Sequence, residues 1–202
     1  MTLQIEDVSR ETAERLEIYA ALVAKWNPKI NLVSKLDLPH VKERHILDSW
    51  QVTDLVPANL ASWADFGSGG GFPGLVIAIW AAETQPQMEI TLVESDQRKA
   101  TFLRTVSRET NLRVKVLDAR IESIPPLGVQ GLSARALAPL PQLLSYAERH
   151  LLPGGVALFP KGRRYQQEIG AAQAEWSFPC QAHPSKTDPE AVILEIGHPR
   201  RA

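Results

Sequence analysis

The sequence predicts an α/β fold with a mostly parallel seven-stranded sheet, a terminal antiparallel hairpin and a helical N-terminal extension. Three observations predict it: short apolar strands alternate with helical segments in the later part of the chain, glycines follow the first strand, and two strands follow one another at the end. Alternating strands and helices are typical of parallel sheets that carry helices on both faces. We therefore expect an extension over residues 1–60 and an α/β domain over residues 61–202.

The individual elements follow from local patterns. In the extension, apolar residues at helical spacing predict a helix from Ser9 to Trp26, ended by Asn27-Pro28, and a second helix from Pro39 toward Leu55. Further strands are predicted at 63–66, 89–93, 113–117, 131–134 and 155–159, further helices from 73 and over 96–110, 139–152 and 162–174, and hairpin strands at 176–180 and 191–196.

Composition excludes several classes of protein. The 202 residues are 44% apolar and 22% charged, as in one globular domain with a small appendage, and the net charge of −1 gives no sign of a nucleic-acid partner. The only cysteine, Cys180, excludes a disulfide framework and a Cys-based zinc site. The start, MTLQIEDVSR, lacks the regions of a secretory signal, and no apolar run is long enough to span a membrane. We expect a cytoplasmic monomer with no metal and no membrane partner.

A glycine-rich segment, ADFGSGGGFPG (64–74), contains the end of the first predicted strand and the turn after it, where a ligand can approach the backbone at the start of a helix. It lacks the Lys-Ser/Thr pair of a P-loop. From Gly69 it satisfies the dinucleotide pattern G-x-G-x-x-G, whereas Asp65, Gly67, Gly69 and Gly71 form D-x-G-x-G-x-G, which resembles the motif for S-adenosylmethionine (SAM). The segment alone leaves both cofactors open.

Two later segments extend the predicted cofactor site. Glu94 ends the second strand, where an acid accepts hydrogen bonds from ribose hydroxyls in NAD or SAM; a helix cap is the structural alternative. The segment after the third strand is where methyltransferases often hold the adenine; in that resemblance Ile121 packs on the ring, and backbone or carboxylate groups near Glu122 meet its amino edge. NAD-binding domains continue with further strand–helix units, whereas class I SAM methyltransferases resemble the pattern seen here, including the final hairpin. An NAD-dependent reductase needs a proton donor such as a Tyr-x-x-x-Lys pair, and no such pair is present.

Three more segments indicate a family: WNPKINLVS (26–34), HILDS (45–49) and SARALAPL (133–140). With the glycine segment and its Phe72-Pro73-Gly74, they resemble in order and spacing the bacterial RsmG (glucose-inhibited division protein B, GidB) family, over nearly the whole chain. The resemblance implies a class I SAM-dependent methyltransferase (Rossmann-like) fold. It also implies an enzyme, an rRNA (guanine-N7)-methyltransferase, that uses SAM and acts on 16S (small-subunit) ribosomal RNA, alone or in the ribosomal subunit. A non-catalytic SAM- or nucleotide-binding module leaves the first two segments unexplained.

The resemblance implies SAM contacts at Gly67, Phe72, Glu94, Ile121, Glu122 and Arg135. With the motif residues, the predicted cofactor-binding set is Asp65, Gly67, Gly69, Gly71, Phe72, Glu94, Ile121, Glu122 and Arg135. Guanine N7 carries a lone pair and no proton, so its methylation needs orientation and no general base. N7 is buried in the major groove of paired RNA, so the base must be unpaired or flipped to react.

Orientation is assigned to residues of the extension. His45 and Asp48 are three positions apart on one helix face and are predicted to line the cleft beside the cofactor; an internal structural pair is the alternative. Asn27 and Asn31 are placed before that helix, to bind the base or to close the loop, with a helix C-cap and a turn residue as the alternatives.

Two segments near the end of the chain carry further signals. Lys161, Arg163 and Arg164 follow the fifth strand and are predicted to contact RNA phosphates; a charge cluster at a helix start is the alternative. Phe178-Pro179-Cys180-Gln181 matches the nucleophile motif of DNA cytosine-C5 methyltransferases. It lies after the fifth strand rather than after the fourth, so we interpret Cys180 as a half-buried strand cysteine.

Overall fold

The structure, a computed structural model, describes residues 8–202. Residues 1–7, which include the start of the predicted extension and of the segment compared with a secretory signal, lie outside the described residues. The strands in chain order are β1 (Ser62–Phe66), β2 (Glu89–Glu94), β3 (Val114–Asp118), β4 (Val129–Ala134), β5 (Leu151–Lys161), β6 (Trp176–Ser177), β7 (Cys180–Pro184), β8 (Val192–Ile196) and β9 (Arg200–Arg201).

Seven of these strands form one sheet in the order β3-β2-β1-β4-β5-β8-β7. Strands β1 to β5 are parallel, and β8 is antiparallel to both β5 and β7. The predicted fold class is therefore confirmed. The chain leaves β1 toward β2 on one side and places β4 on the other, and ligands of open α/β sheets bind at such a switch point, outside the carboxyl ends of the strands.

Helices cover both faces of the sheet. They are α1 (Arg10–Ile30), α2 (Leu47–Trp50), α3 (Gly74–Thr84), α4 (Gln97–Glu109), α5 (Leu140–His150) and α6 (Tyr165–Gln173). The sequence of α3, GLVIAIWAAET, is apolar almost all round because the helix is buried between the sheet and its neighbours. Helix α1 packs against α3 and α4. The described part of the extension, residues 8–60, is called the N-terminal segment below, and it shares a core with one face of the sheet.

The predicted end of the first helix at Asn27-Pro28 is wrong, because α1 continues to Ile30. Pro28 removes only one backbone donor from the helix, which is not enough to end it. Asn31 then closes the helix in a left-handed conformation with φ 52°. The Asn27 side chain accepts hydrogen bonds from the backbone N–H groups of Leu32 and Val33 at 2.7 and 2.8 Å, and so fixes the chain that leaves the helix.

The predicted second helix is a series of short helical pieces. A 3₁₀ turn (Leu38–His40), a π-helical turn (Lys42–Ile46), α2 and a second 3₁₀ turn (Gln51–Leu55) follow one another. In the π-helical part, the N–H of Leu47 bonds to the carbonyl of Lys42, five residues back. The extra residue in this turn changes the faces that the following side chains share.

The terminal hairpin is present, but its first strand is displaced from the predicted 176–180. The strand that pairs with β8 is β7, whereas β6 pairs with β9 in a separate two-stranded sheet. Pro179 separates the two strands, since it has no N–H to donate to a ladder. The loop between β7 and β8, residues 185–191, is called the hairpin loop below.

Candidate active site

Two cavities lie side by side at the carboxyl ends of the strands. The smaller, of about 360 Å³, is lined from the ends of β1, β2 and β3, and we call it the cofactor cavity. The larger, of about 1090 Å³, is lined by the N-terminal segment, the end of β5, α6 and the hairpin loop, and we call it the substrate cleft. Both are lined by Ala136, Leu137 and Ala138, which follow β4, so these three residues form a shared wall.

The glycine segment and Glu94 form one side of the cofactor cavity. Gly67 and Gly69 have φ angles of +62° and +53°, a conformation that side chains disfavour. A Cβ on Gly67 would lie 2.5 Å from Leu137 Cδ1, so the shared wall packs directly on the loop. The Glu94 carboxylate accepts hydrogen bonds from the N–H groups of Gly69 and Asp96, both at 2.8 Å. It therefore holds the loop as well as facing the cavity.

The opposite side of this cavity contains Ile121, which is buried, and Glu122. The Tyr146 hydroxyl donates a hydrogen bond to the Glu122 carboxylate. This bond lowers the pKa of Glu122, while burial and then the carboxylate raise the pKa of Tyr146. An ionised acceptor thus lies beside an apolar surface, the combination that the sequence predicts for an adenine site.

Four of the predicted cofactor-binding residues do not line the cofactor cavity: Asp65, Gly71, Phe72 and Arg135. Asp65 has no exposed surface, and its carboxylate accepts a hydrogen bond from Ser133 Oγ at 2.6 Å. Burial raises the pKa of Asp65 to about 6, against the opposing effect of the Ser133 bond. Asp65 lies beneath the glycine loop as a support.

Gly71 and Phe72 face α1. The Tyr19 hydroxyl of α1 donates a hydrogen bond to the Gly70 carbonyl at 2.5 Å, and a Cβ on Gly71 would lie 2.7 Å from that hydroxyl. The Phe72 ring lies between the rings of Tyr19 and His45, with centroid separations of 5.2 and 5.1 Å. The second half of the glycine segment is therefore held by the N-terminal segment through buried packing.

Arg135 extends into the substrate cleft. Its guanidinium donates to Asp48 Oδ2 at 3.1 Å and to His45 Nδ1 at 3.0 Å, and it lies 5.2 Å from the centre of the Phe72 ring. Because a guanidinium only donates, His45 Nδ1 accepts and Nε2 carries the proton. Burial, and then the Arg135 charge, lower the pKa of His45 to about 4, so the ring is neutral at pH 7. The structure thus brings His45 and Asp48, which sequence analysis placed at the cleft, together with Arg135, which it placed among the cofactor-binding residues.

The other predicted orienting residues lie elsewhere. The side-chain carbonyl of Asn27 is used within its own segment, and Asn27 and Asn31 do not line either cavity. The helix C-cap that sequence analysis gives as the alternative for Asn27 is wrong in position, because Asn27 lies inside α1 and Asn31 is the C-cap. A role of either residue toward the base stays a prediction.

The basic cluster after β5 is divided. Lys161 is largely buried and donates to Glu168 Oε2 at 2.7 Å and to the Ala138 carbonyl at 3.0 Å. Glu168 in turn accepts from the N–H of Leu140 at 2.9 Å. This pair therefore fixes the shared wall, whereas Arg163 and Arg164 are exposed and Arg164 lines the substrate cleft.

Sequence reasoning missed residues on both sides of the shared wall. Gln142 and Tyr146 line the cofactor cavity from α5, and their spacing of four, on the helix after β4, is a signal that was available. Gln51 and Thr187 line the substrate cleft, and no local pattern marks either. Cys180 lies on a strand, β7, as predicted, but its thiol is free and exposed, so the expected half-buried position is wrong.

Two features are absent from the part of the chain that the structure describes. Within residues 8–202, no helix has both the length and the apolar character needed to cross a membrane. The same residues contain no group of three or more His, Cys, Asp or Glu side chains placed to hold a metal ion.

Known proteins resemble this chain along most of its length. A family model described as rRNA small subunit methyltransferase G (GidB) matches residues 12–189. A protein named ribosomal RNA small subunit methyltransferase G from Ruegeria sp. is 52% identical over 190 residues, covering 94% of this chain and 92% of that protein. A protein of the same name from Paracoccus denitrificans is 50% identical over 196 residues, covering 96% and 99%.

Solved structures resemble the fold at low identity. A SAM-dependent methyltransferase from Aquifex aeolicus superposes with a TM-score of 0.60 at 13% identity, covering 80% of this chain and 94% of that one. The mitomycin 7-O-methyltransferase MmcR has a TM-score of 0.60 at 15% identity, covering 96% and 68%. These similarities show the class I methyltransferase fold.

Proposed function

The chain belongs to the rRNA small subunit methyltransferase G (GidB) family and is a SAM-dependent methyltransferase, and we propose that it methylates N7 of one guanine in small-subunit ribosomal RNA. We propose further that it works as a cytoplasmic monomer in which residues 8–60 form one side of the RNA site. The RNA is presented either free or within a ribosomal particle.

One observation carries this proposal: the cofactor cavity and the substrate cleft meet at the wall formed by Ala136, Leu137 and Ala138. A methyl transfer needs its donor and acceptor in line and close together, and two adjoining cavities provide separate places for them. The wall contains no acid or base, which suits a transfer that moves no proton.

The residues present fit the cofactor. A Cβ on Gly69 would meet only the Gly67 carbonyl oxygen, at 3.6 Å, which leaves room for a ligand against the backbone. Glu94 is placed to accept from ribose hydroxyls, and Ile121 with Glu122 to receive an adenine. When bound, SAM supplies a methyl group on a sulfonium, and its sulfur keeps the electron pair of the broken C–S bond as the guanine N7 lone pair forms the new bond.

The substrate cleft suits a base better than a phosphate. Its charged lining contains five carboxylates (Asp37, Glu43, Asp48, Glu168 and Asp188) and four cations (Arg44, Arg135, Lys161 and Arg164). Guanine presents N–H donors that carboxylates accept, whereas a phosphate needs an excess of cations. His45 is neutral and therefore adds no charge to this balance.

The test is methyl transfer from labelled SAM by the purified protein to three substrates from a strain that lacks this modification: free rRNA, an assembly intermediate and the intact subunit. We expect one of them to gain N7-methylguanosine at a single position, measured by mass spectrometry of nuclease fragments. A gain at another atom, or no gain with any substrate, contradicts the proposal. A Glu94→Ala variant, which weakens the loop and its ribose contact, serves as the low-activity control.

A further inference from the structure

Gln51 connects the N-terminal segment to the hairpin loop. Its side chain is almost completely buried, and its Nε2 lies 3.0 Å from Asp48 Oδ1, 3.0 Å from Ser185 Oγ and 3.1 Å from Thr187 Oγ1. Its Oε1 accepts a hydrogen bond from the backbone N–H of Lys186 at 2.7 Å. One amide therefore contacts three consecutive residues of the loop and one carboxylate of the cleft.

The orientation of this amide is determined by its neighbours. The backbone N–H of Lys186 can only donate, so the atom facing it is the oxygen of Gln51, and the Asp48 carboxylate can only accept, so the atom facing it is the nitrogen. The buried amide uses both of its ends. A buried polar group that is fully paired restricts its partners to one arrangement.

The same network continues to the shared wall. Thr187 Oγ1 donates to Asp48 Oδ1 at 2.7 Å, and Asp48 Oδ2 accepts from Arg135, the residue before the wall. Gln51, Thr187, Asp48 and Arg135 all line the substrate cleft, and none of them lines the cofactor cavity. The network therefore joins residues 48–51, the end of β4 and the hairpin loop, and it does so in the substrate cleft and not in the cofactor cavity.

Resting on the proposed function, we propose that Gln51 is a positioning residue for the RNA substrate: it holds the hairpin loop and Asp48 in the arrangement that receives the flipped guanine nucleotide. Gln51 acts through the loop and through Asp48. It has no part in holding the cofactor.

A nearby ion pair provides a matched control. Lys186 Nζ lies 2.6 Å from Asp54 Oδ2, but both side chains are about half exposed, so solvent screens the pair. A Lys186→Met variant breaks the ion pair and keeps the backbone N–H that Gln51 binds. It is expected to leave the Kd for SAM unchanged and to raise the KM for the small-subunit substrate less than Gln51→Met does.

The experiment compares Gln51→Met, Thr187→Val and Thr187→Ser with the wild type and with Lys186→Met. In Gln51→Met, the KM for the small-subunit substrate is expected to rise about tenfold while the Kd for SAM, measured by calorimetry, changes less than about twofold. Thr187→Val removes one hydroxyl from an exposed residue, so the fold is expected to stay intact and the KM to rise about threefold. Thr187→Ser keeps the hydroxyl and is expected to have the wild-type KM.

Three results would overturn the proposal. In Gln51→Met, SAM binding could weaken as much as the KM rises, or kcat could fall at an unchanged KM. The third result is an unchanged KM in both Gln51→Met and Thr187→Val. Hydrogen exchange of the hairpin loop and sedimentation binding to small subunits provide readouts that need no methyl transfer. If the wild type transfers no methyl group, the proposed function fails. In that case, faster hydrogen exchange of the hairpin loop together with weaker subunit binding in Gln51→Met still supports the positioning role. Unchanged exchange and unchanged subunit binding in that variant overturn it.

Discussion

The cofactor cavity and the substrate cleft share a wall but are built from different parts of the chain. In the cofactor cavity, Gly69 and Glu94 are 25 residues apart, and Glu122 and Tyr146 are 24 apart. In the substrate cleft, Arg135 contacts His45 across 90 residues, and Thr187 contacts Asp48 across 139. The cofactor cavity is therefore made by neighbouring strand–helix units. The substrate cleft is made by segments far apart in the chain: the N-terminal segment, the end of β4 and the hairpin loop.

This difference has a physical consequence. Backbone groups and positive-φ glycines form much of the cofactor side, so its geometry is set by the conformation of one loop. Side chains from separate elements form the cleft, so its geometry depends on how those elements pack. Substitutions on the cofactor side should therefore act through backbone strain, and those in the cleft through lost hydrogen bonds.

The largest expected effect separates two glycines of the same loop. Gly71→Ala places a Cβ 2.7 Å from the Tyr19 hydroxyl at φ +94°, whereas Gly69→Ala at φ +53° meets only the Gly67 carbonyl oxygen, at 3.6 Å. We expect Gly71→Ala to lower the free energy of unfolding by about 3 kcal/mol, from strain and overpacking together, and Gly69→Ala by about 1 kcal/mol. Urea denaturation measures both. Equal losses would contradict the separation of the loop into a packed half and a ligand-facing half.

Next in size is Arg135→Ala, in the cleft. It removes hydrogen bonds to Asp48 and His45, and we expect kcat/KM to fall about 100-fold, with SAM affinity changed by less than about threefold. Loss of the positive charge should also raise the pKa of His45, which a proton NMR titration of its ring detects. Arg135→Lys, which keeps the charge and loses the planar fork, is the control. A large loss of SAM affinity would instead support the cofactor contact that the sequence predicts.

A smaller effect distinguishes the two kinds of basic residue after β5. Lys161→Met breaks the pairing that holds the shared wall, so we expect a rate loss of about tenfold and an unchanged salt dependence of RNA binding. Arg164→Ala removes an exposed cation, and the slope of log K against log salt concentration should fall by about 0.7. Filter binding over a salt series measures both slopes. A reduced slope in Lys161→Met would make that residue the predicted phosphate ligand.

The smallest expected effect is that of pH on the rate. The pKa of His45 is lowered to about 4, so the ring stays neutral as the pH rises from about 6 to 8, and guanine N7 has no proton to lose. We expect kcat to change less than about twofold over that range. Single-turnover rates in a constant-ionic-strength buffer series measure it. A steep rise near pH 6.5 would indicate a general base in the cleft.

Much of the cofactor side was predictable because its signals are local. Motifs at the ends of strands predict five residues that all line the cofactor cavity: Gly67, Gly69, Glu94, Ile121 and Glu122. The glycine motif also predicts Phe72 as a cofactor contact, but Phe72 packs on Tyr19 of α1, because the motif does not determine which side of the loop a residue faces. The hairpin strand was misplaced because Pro179 separates two strands that the pattern joined.

By itself, the sequence determined the fold class, the family and the loop that approaches a cofactor. These depend on periodicity, on glycine conformation and on short motifs, all of which act over a few residues. Only the tertiary structure decided that Lys161 supports a wall, that Arg135 bonds to His45 and Asp48, and that Gln51 holds the hairpin loop. Such contacts join residues far apart in the chain, and they arise from the packing of whole elements, which no local pattern records.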